Sequence, residues 1–121
     1  MTPKSIIITS LLTICLAASY AQEAQIGALE GQSGYVDTGS SNIYYETYGK
    51  GPTLLILHGI GGSVKSRQKI IPDLANTFHV VAMDSRCHGK SSCPEKGTTY
   101  EEMVEDVHAV MEVLDLKVVM I

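Results

Sequence analysis

Two runs of consecutive apolar residues dominate the chain, in "TLLILH" (53–58) and "HVVAMD" (79–84). An unbroken apolar run, as opposed to alternation, suits a strand of a parallel sheet that is covered on both faces. A third such run, "KVVMI", begins at Lys117. Between the first two, Val64, Ile70, Ile71, Leu74 and Ala75 recur at roughly helical spacing over 64–77, with Pro72 as a kink or restart point. Between the second and third, Thr99-Tyr100-Glu101-Glu102 has the form of a capping box, in which a hydroxyl and a carboxylate three residues on satisfy free amides reciprocally. Met103, Val104, Val107, Val110, Met111 and Leu114 then form one apolar stripe, with Glu101, Glu105, His108, Glu112 and Asp115 off it. Upstream, Tyr35-Val36 and Ile43-Tyr44-Tyr45 flank a turn-like Asp-Thr-Gly-Ser-Ser-Asn and predict an antiparallel hairpin. The order is hairpin, strand, helix, strand, helix, strand: an α/β layout with right-handed crossovers.

The first residues change the picture of where this domain starts. "MTPKSIIITSLLTICLAASYAQ" has a basic Lys4, an apolar core from Ile6 to Ala18, and small residues at Ser19 and Ala21. That predicts a cleaved secretory signal over 1–21, too short and too interrupted by Thr and Ser for a membrane span. Ile14 before Cys15 is bulkier than a lipoprotein anchor site tolerates. Residues 22–33 are polar and glycine-bearing and read as a linker or loose N-terminus, leaving 34–121 as the folded part. The expected location is periplasmic or secreted, with no stable membrane insertion after cleavage.

Removing 1–21 takes away Lys4 and no acid, so the formal charge moves from −4 to −5, with eight basic against thirteen acidic residues. No basic stripe is present, which argues against a nucleic-acid partner. Cys87 and Cys93 remain in a compartment where disulfides persist, as a local disulfide or as two free thiols. Their spacing, with no second pair nearby, is a poor zinc signal. Neither a metal nor an organic cofactor is expected.

The candidate chemistry lies where "TLLILH" runs into His58-Gly59-Ile60-Gly61-Gly62. A dinucleotide-binding turn would need glycine at 64, which is Val; a phosphate loop ending in Gly89-Lys90-Ser91 would need glycine at 84, which is Asp. A third reading is an oxyanion hole. A tetrahedral acyl-transfer intermediate develops charge on one oxygen, and fixed backbone N–H groups stabilise it without reorganising. A strand ending in His-Gly lets the Ile60 amide turn toward such an oxygen, and the glycines permit the backbone angles.

At this point the chain resembles the α/β-hydrolase family. The family pattern is an apolar strand, His-Gly, a glycine-containing loop, a helix, an apolar strand, then Asp-x-Arg-Gly-x-Gly-x-Ser. Here it reads "LLILHGIGGS" and "VVAMDSRCHGKSS", and the similarity covers 35–121. The resemblance implies the N-terminal half of a hydrolase sheet, in which the fifth strand pairs beside the third. It assigns the Ile60 N–H to the oxyanion hole, the second donor being the amide after the nucleophile. His58 becomes a structural brace of that loop, with Gly59, Gly61, Gly62, Asp84, Arg86, His88, Gly89 and Ser91 as motif support. Two positions depart: Cys87 stands at a family glycine, and Arg67 where many members carry an aromatic. Gly-x-Ser-x-Gly occurs nowhere in the 121 residues.

In the family the nucleophile follows the "KVVMI" strand, and the acid and base come later still. The resulting expectation is an N-terminal fragment of an exported hydrolase acting on a carboxylic ester or related small molecule, without a triad and inactive alone. The alternative is a small non-catalytic binding or interaction module. Against it, 118–121 would form a bare apolar edge that invites aggregation. The oligomeric state stays open.

Overall fold

The computed structural model describes residues 31–117 and 119–120. The signal segment and residues 22–30 of the predicted linker lie outside the described residues. Five strands form one mixed sheet: β1 (Gln32–Asp37), β2 (Asn42–Tyr48), β3 (Thr53–Ile56), β4 (His79–Met83) and β5 (Val119–Met120), in the order β1-β2-β4-β3-β5. The predicted hairpin is β1 and β2, paired from Gln32↔Thr47 to Asp37↔Asn42. β1 therefore starts at Gln32, before the boundary read at 34. The reason is that β2 continues to Tyr48 and offers Gln32 and Ser33 partners at Thr47 and Glu46.

β2 runs antiparallel to β4, whereas β3 is parallel to β4 on one side and to β5 on the other. β5 meets β3 at Thr53↔Val119 and Leu54↔Met120, the neighbour that the family resemblance implies. The continuous apolar runs make sense in this position. On β4, Val81 and Met83 enter a cluster with Val36, Ile43, Leu55 and Val110, while Val80 and Ala82 enter another with Tyr48, Val64, Ile71 and Ala75. Alternate side chains thus point into two cores, so none of the four positions from Val80 to Met83 is polar.

Helix α2 (Tyr100–Val113) covers the first face and starts as its sequence predicts. Thr99 Oγ1 accepts from Glu102 N–H at 3.2 Å, and Thr99 N–H donates to Glu102 Oε2 at 3.0 Å. That backbone donor, with Arg86 nearby, holds the Glu102 carboxyl below its ordinary pKa. Val110 is fully buried and Val107 and Leu114 pack beside it, but Val104 is 54 % exposed, so the apolar stripe is narrower than its sequence suggests. The second face is covered by the segment read as helical over 64–77, interrupted where Pro72 marks a kink or restart point. A 3-10 turn (Val64–Arg67) is followed by a short helix α1 (Ile71–Ala75). Pro72 explains the break: it sits in the first turn of α1, lacks an N–H to bond back, and its ring excludes the preceding turn of helix.

On β2, Glu46 lies between two tyrosines of its own face, accepting from Tyr44 Oη and Tyr48 Oη at 2.6 Å each. Burial, followed by that hydrogen bond, raises both phenol pKa values above the ordinary one. In the unfolded chain these protons leave near about pH 10. Above that pH the native state binds more protons than the unfolded state, so stability falls as pH rises; below it both states are protonated and the term is flat. Urea midpoints measured between about pH 9 and about pH 11 are expected to drop, and Tyr48→Phe is expected to flatten the drop. An equal slope in the variant counts against this assignment.

Candidate active site

Parallel pairing of β3 and β4, from Thr53↔His79 to Ile56↔Ala82, sends both strands out of the sheet in the same direction. The loops that follow, 57–63 and 84–92, therefore emerge side by side at the carboxyl edge, where open α/β sheets place their sites. His79 opens β4 at the opposite end and His108 is an exposed residue of α2, so neither joins them.

Asp84 ties the two loops at their base. It is 2 % exposed, and its carboxylate accepts from Val64 N–H (2.6 Å) on one side and Lys90 N–H (2.8 Å) on the other. Gly89 lies against it: a Cβ there would meet Asp84 Oδ2 at 2.1 Å, and the backbone has φ +53°. Both the close approach and the left-handed angle require glycine. Ser91 continues the brace, its Oγ donating to the Asp84 carbonyl (2.6 Å) and accepting from Tyr44 N–H (2.8 Å).

Two histidines cross-link the loops reciprocally. Ser85 N–H donates to His58 Nε2 at 3.0 Å, so that nitrogen carries no proton and the Nδ1–H donates to the Gly59 carbonyl at 2.8 Å. In the other direction, Gly61 N–H donates to His88 Nε2 at 3.4 Å, and His88 Nδ1–H donates to the Arg86 carbonyl at 3.0 Å. The rings lie 5.0 Å apart. With both Nε2 atoms engaged by backbone donors, each ring positions a loop and neither is free to take a proton from a nucleophile.

Residues 59–62 form a β-turn closed by Gly62 N–H to the Gly59 carbonyl at 3.0 Å, with Gly61 at φ +72°. Of the amides in this turn, that of Gly62 closes it and that of Gly61 is taken by His88. The Ile60 N–H makes no hydrogen bond to any described residue, and the residue is fully exposed. Gly59 has neither a positive φ nor a neighbour within 4 Å of a hypothetical Cβ, so the turn itself does not demand glycine there.

Arg86 points away from this turn, beneath α2. It is 2 % exposed, and Nε and Nη2 each donate to the Asp106 carboxylate at 2.7 Å. Nη1 lies 3.2 Å from Glu102 Oε1, off the hydrogen-bonding direction, so that contact is Coulombic only. The Asp106 hydrogen bonds raise the guanidinium pKa above its ordinary value. Arg86 and Asp84 thus act as anchors and do not face an open site. Asp106 is the residue that the sequence reading passed over. Cys87, at the family's glycine, holds φ +63° and is bonded to Cys93. Among the described residues, no group of three or more His, Cys, Asp or Glu is arranged to hold a metal.

The fold and sequence are similar to those of known proteins. The profile of the α/β hydrolase fold family matches residues 52–121. A protein of Synechocystis sp. assigned as a non-heme chloroperoxidase is 35% identical over 89 residues, which is 69% of this chain and 32% of that protein. Among solved structures, a bromoperoxidase from Bacillus anthracis superposes with a TM-score of 0.68 at 31% identity, covering 73% of this chain and 33% of the other. An N-acyl homoserine lactone degrading enzyme does so with a TM-score of 0.65 at 32% identity, covering 68% and 32%. The chain spans about a third of the length of such relatives and matches the N-terminal portion of their structures. With the strand order, the two loop motifs and the profile in agreement, the chain belongs to the α/β-hydrolase fold family.

Proposed function

We propose that these 121 residues supply the N-terminal part of an exported α/β-hydrolase that cleaves a carboxylic ester or related small molecule through an activated serine. The observation that carries this reading is the Ile60 N–H, which makes no hydrogen bond to a described residue on a fully exposed tip whose next two amides, of Gly61 and Gly62, are used. A serine alkoxide attacking a carbonyl places negative charge on the carbonyl oxygen, and a fixed amide at that point stabilises the tetrahedral intermediate more than the ground state. His58, His88, Asp84 and Ser91 hold the turn; the nucleophile, its base and the acid come from chain beyond Ile121. Export is supported by the basic-then-apolar first 21 residues and by a disulfide, which persists in oxidising compartments.

The reading is tested with p-nitrophenyl acetate. The 121-residue chain is expected to show no turnover above buffer. In the longer protein with its Gly-x-Ser-x-Gly strand, Ile60→Pro removes the donor while proline suits that turn position, and kcat is expected to fall by about 10²–10³-fold with little change in KM. An unchanged kcat removes Ile60 from the oxyanion hole. Turnover by the short chain that Ile60→Pro abolishes overturns the claim that the triad lies elsewhere.

A further inference from the structure

The loop 84–92 is anchored to buried groups at its two ends, and its middle is held by contacts within the loop. At its start, Asp84 and Arg86 are buried and ion-paired or amide-bonded as described. At its end, Ser91 and Ser92 bond to β2: Tyr44 N–H donates to Ser91 Oγ at 2.8 Å, Asn42 N–H donates to Ser92 Oγ at 2.8 Å, and Ser92 N–H donates to the Asn42 carbonyl at 3.0 Å. Between these ends stands Cys87, a non-glycine residue at φ +63°, a conformation that L side chains disfavour. Next to it, His88 reaches the oxyanion turn through the 3.4 Å contact with Gly61 N–H, the longest of the cross-links between the two loops. The middle segment is closed by backbone hydrogen bonds at 3.0 Å (Cys87 N–H to the Ser92 carbonyl, His88 N–H to the Ser85 carbonyl and Ser91 N–H to the His88 carbonyl), by Lys90 N–H on Asp84 at 2.8 Å, and by the Cys87–Cys93 disulfide, the one covalent closure among them. Both cysteines are exposed.

We propose that Cys87–Cys93 is a thiol-exchange site that controls, through His88, how firmly the oxyanion turn is held. The reactant is a dithiol. Its thiolate attacks one exposed sulfur and forms a mixed disulfide, and its second thiol releases the protein. Two electrons and two protons pass to Cys87 and Cys93, which become thiols, while the dithiol leaves as its own disulfide. Without the bond, Cys87 is free to leave the left-handed region, His88 moves with it, and Gly61 loses its acceptor while the sheet and the Arg86–Asp106 anchor stay in place. An oxidised dithiol reverses the change. The consequence for catalysis rests on the oxyanion reading of Ile60; the coupling between disulfide and turn does not.

The test uses the full chain, with dithiothreitol as the dithiol and amide–water exchange followed by NMR. Before reduction, thiol counting is expected to find neither Cys87 nor Cys93 free. On reduction the Gly61 amide is expected to exchange about ten-fold faster or more, with Val81 and Ala82 in β4 unchanged, and oxidised dithiothreitol is expected to restore the first rate. Free Cys87 and Cys93 thiols at the outset overturn the proposal, as does a Gly61 rate indifferent to reduction. Equal acceleration at Val81 also overturns it, since the disulfide is then a general staple of the fold. In Cys87→Gly with Cys93→Ser, glycine adopts the left-handed angle without a bond, and Gly61 exchange is expected to ignore the dithiol; a response there has the same negative meaning. Exchange is read without any ester, so failure of Ile60→Pro to affect kcat and failure of this coupling are separate results.

Discussion

Asp106→Ala is expected to lower the unfolding free energy by about 3–5 kcal/mol, read as a reduced urea midpoint at unchanged slope. The size follows from what remains around Arg86. The guanidinium is 2 % exposed and loses both of its 2.7 Å hydrogen bonds. Glu102 is 3.2 Å from Nη1 off the bonding direction, and Ser40 Oγ and the Glu102 carbonyl are 3.3 and 3.4 Å from Nη2. None of these replaces the paired hydrogen bonds, and Glu102, half-exposed, stays only as a solvent-screened counter-charge, so the buried guanidinium loses its one buried partner. The reverse change, Arg86→Ala, strands Asp106 at 1 % exposure and is expected to cost as much. Removing both charges together is a different matter. Arg86→Met with Asp106→Leu is expected to lose less than either single change, because the desolvation cost of the two ions disappears with them. A cost below about 1 kcal/mol for Asp106→Ala, the value of a surface pair, shows that this pair does not anchor the loop to α2.

That anchor also shows where sequence reasoning stops. The strands were legible because burial on both faces forces continuous apolar runs, and Val80-Val81-Ala82-Met83 has no alternative position in an α/β fold. Helix α2 was legible because its capping box is local: Thr99 and Glu102 satisfy each other within one turn. Asp106 belongs to no local pattern. It lies one turn before Val110 and one after Glu102, on the side of α2 that faces the sheet, and its partner is twenty residues away in sequence. A carboxylate among Met103, Val107 and Val110 needs a counter-charge, and Arg86 at the end of a buried strand was the available one. That was the signal to follow.

The same limit applies to the two histidines. The His-Gly motif marks His58 as a brace, but that its ring bonds Ser85 N–H, and that His88 returns the favour to Gly61, depends on the parallel register of β3 and β4. The restart within 64–77 was legible for a local reason instead: Pro72 was visible, and α1 begins with it in the first turn, where a missing N–H costs nothing.

Asp84→Ala is the second large effect, and the loops it joins make it separable from simple loss of stability. Val64 N–H is buried and loses its acceptor, which costs about 1–3 kcal/mol; the Lys90 N–H is partly open to water and costs less. A total of about 2–4 kcal/mol is expected from denaturant unfolding. Asp84→Asn does not rescue it fully. A carboxamide offers one acceptor oxygen, while the carboxylate accepts one amide on each oxygen, so the NH2 group faces an N–H donor. Gly89→Ala gives the decisive comparison. In the native chain its Cβ meets Oδ2, Cγ and Oδ1 of Asp84 at 2.1, 2.4 and 2.7 Å, so the carboxylate must leave both amides. With alanine at 84 all three atoms are gone, and the remaining cost is that of φ +53°, about 1–2 kcal/mol. The two changes are therefore expected to be strongly non-additive, the double variant being about as stable as Asp84→Ala less that backbone term. Additive losses place the Gly89 requirement in the backbone angle alone and leave Asp84 as an ordinary buried acid. Non-additive losses identify the Asp84 carboxylate as the wedge that sets the distance between the segment leading out of the 59–62 turn and the loop that carries His88.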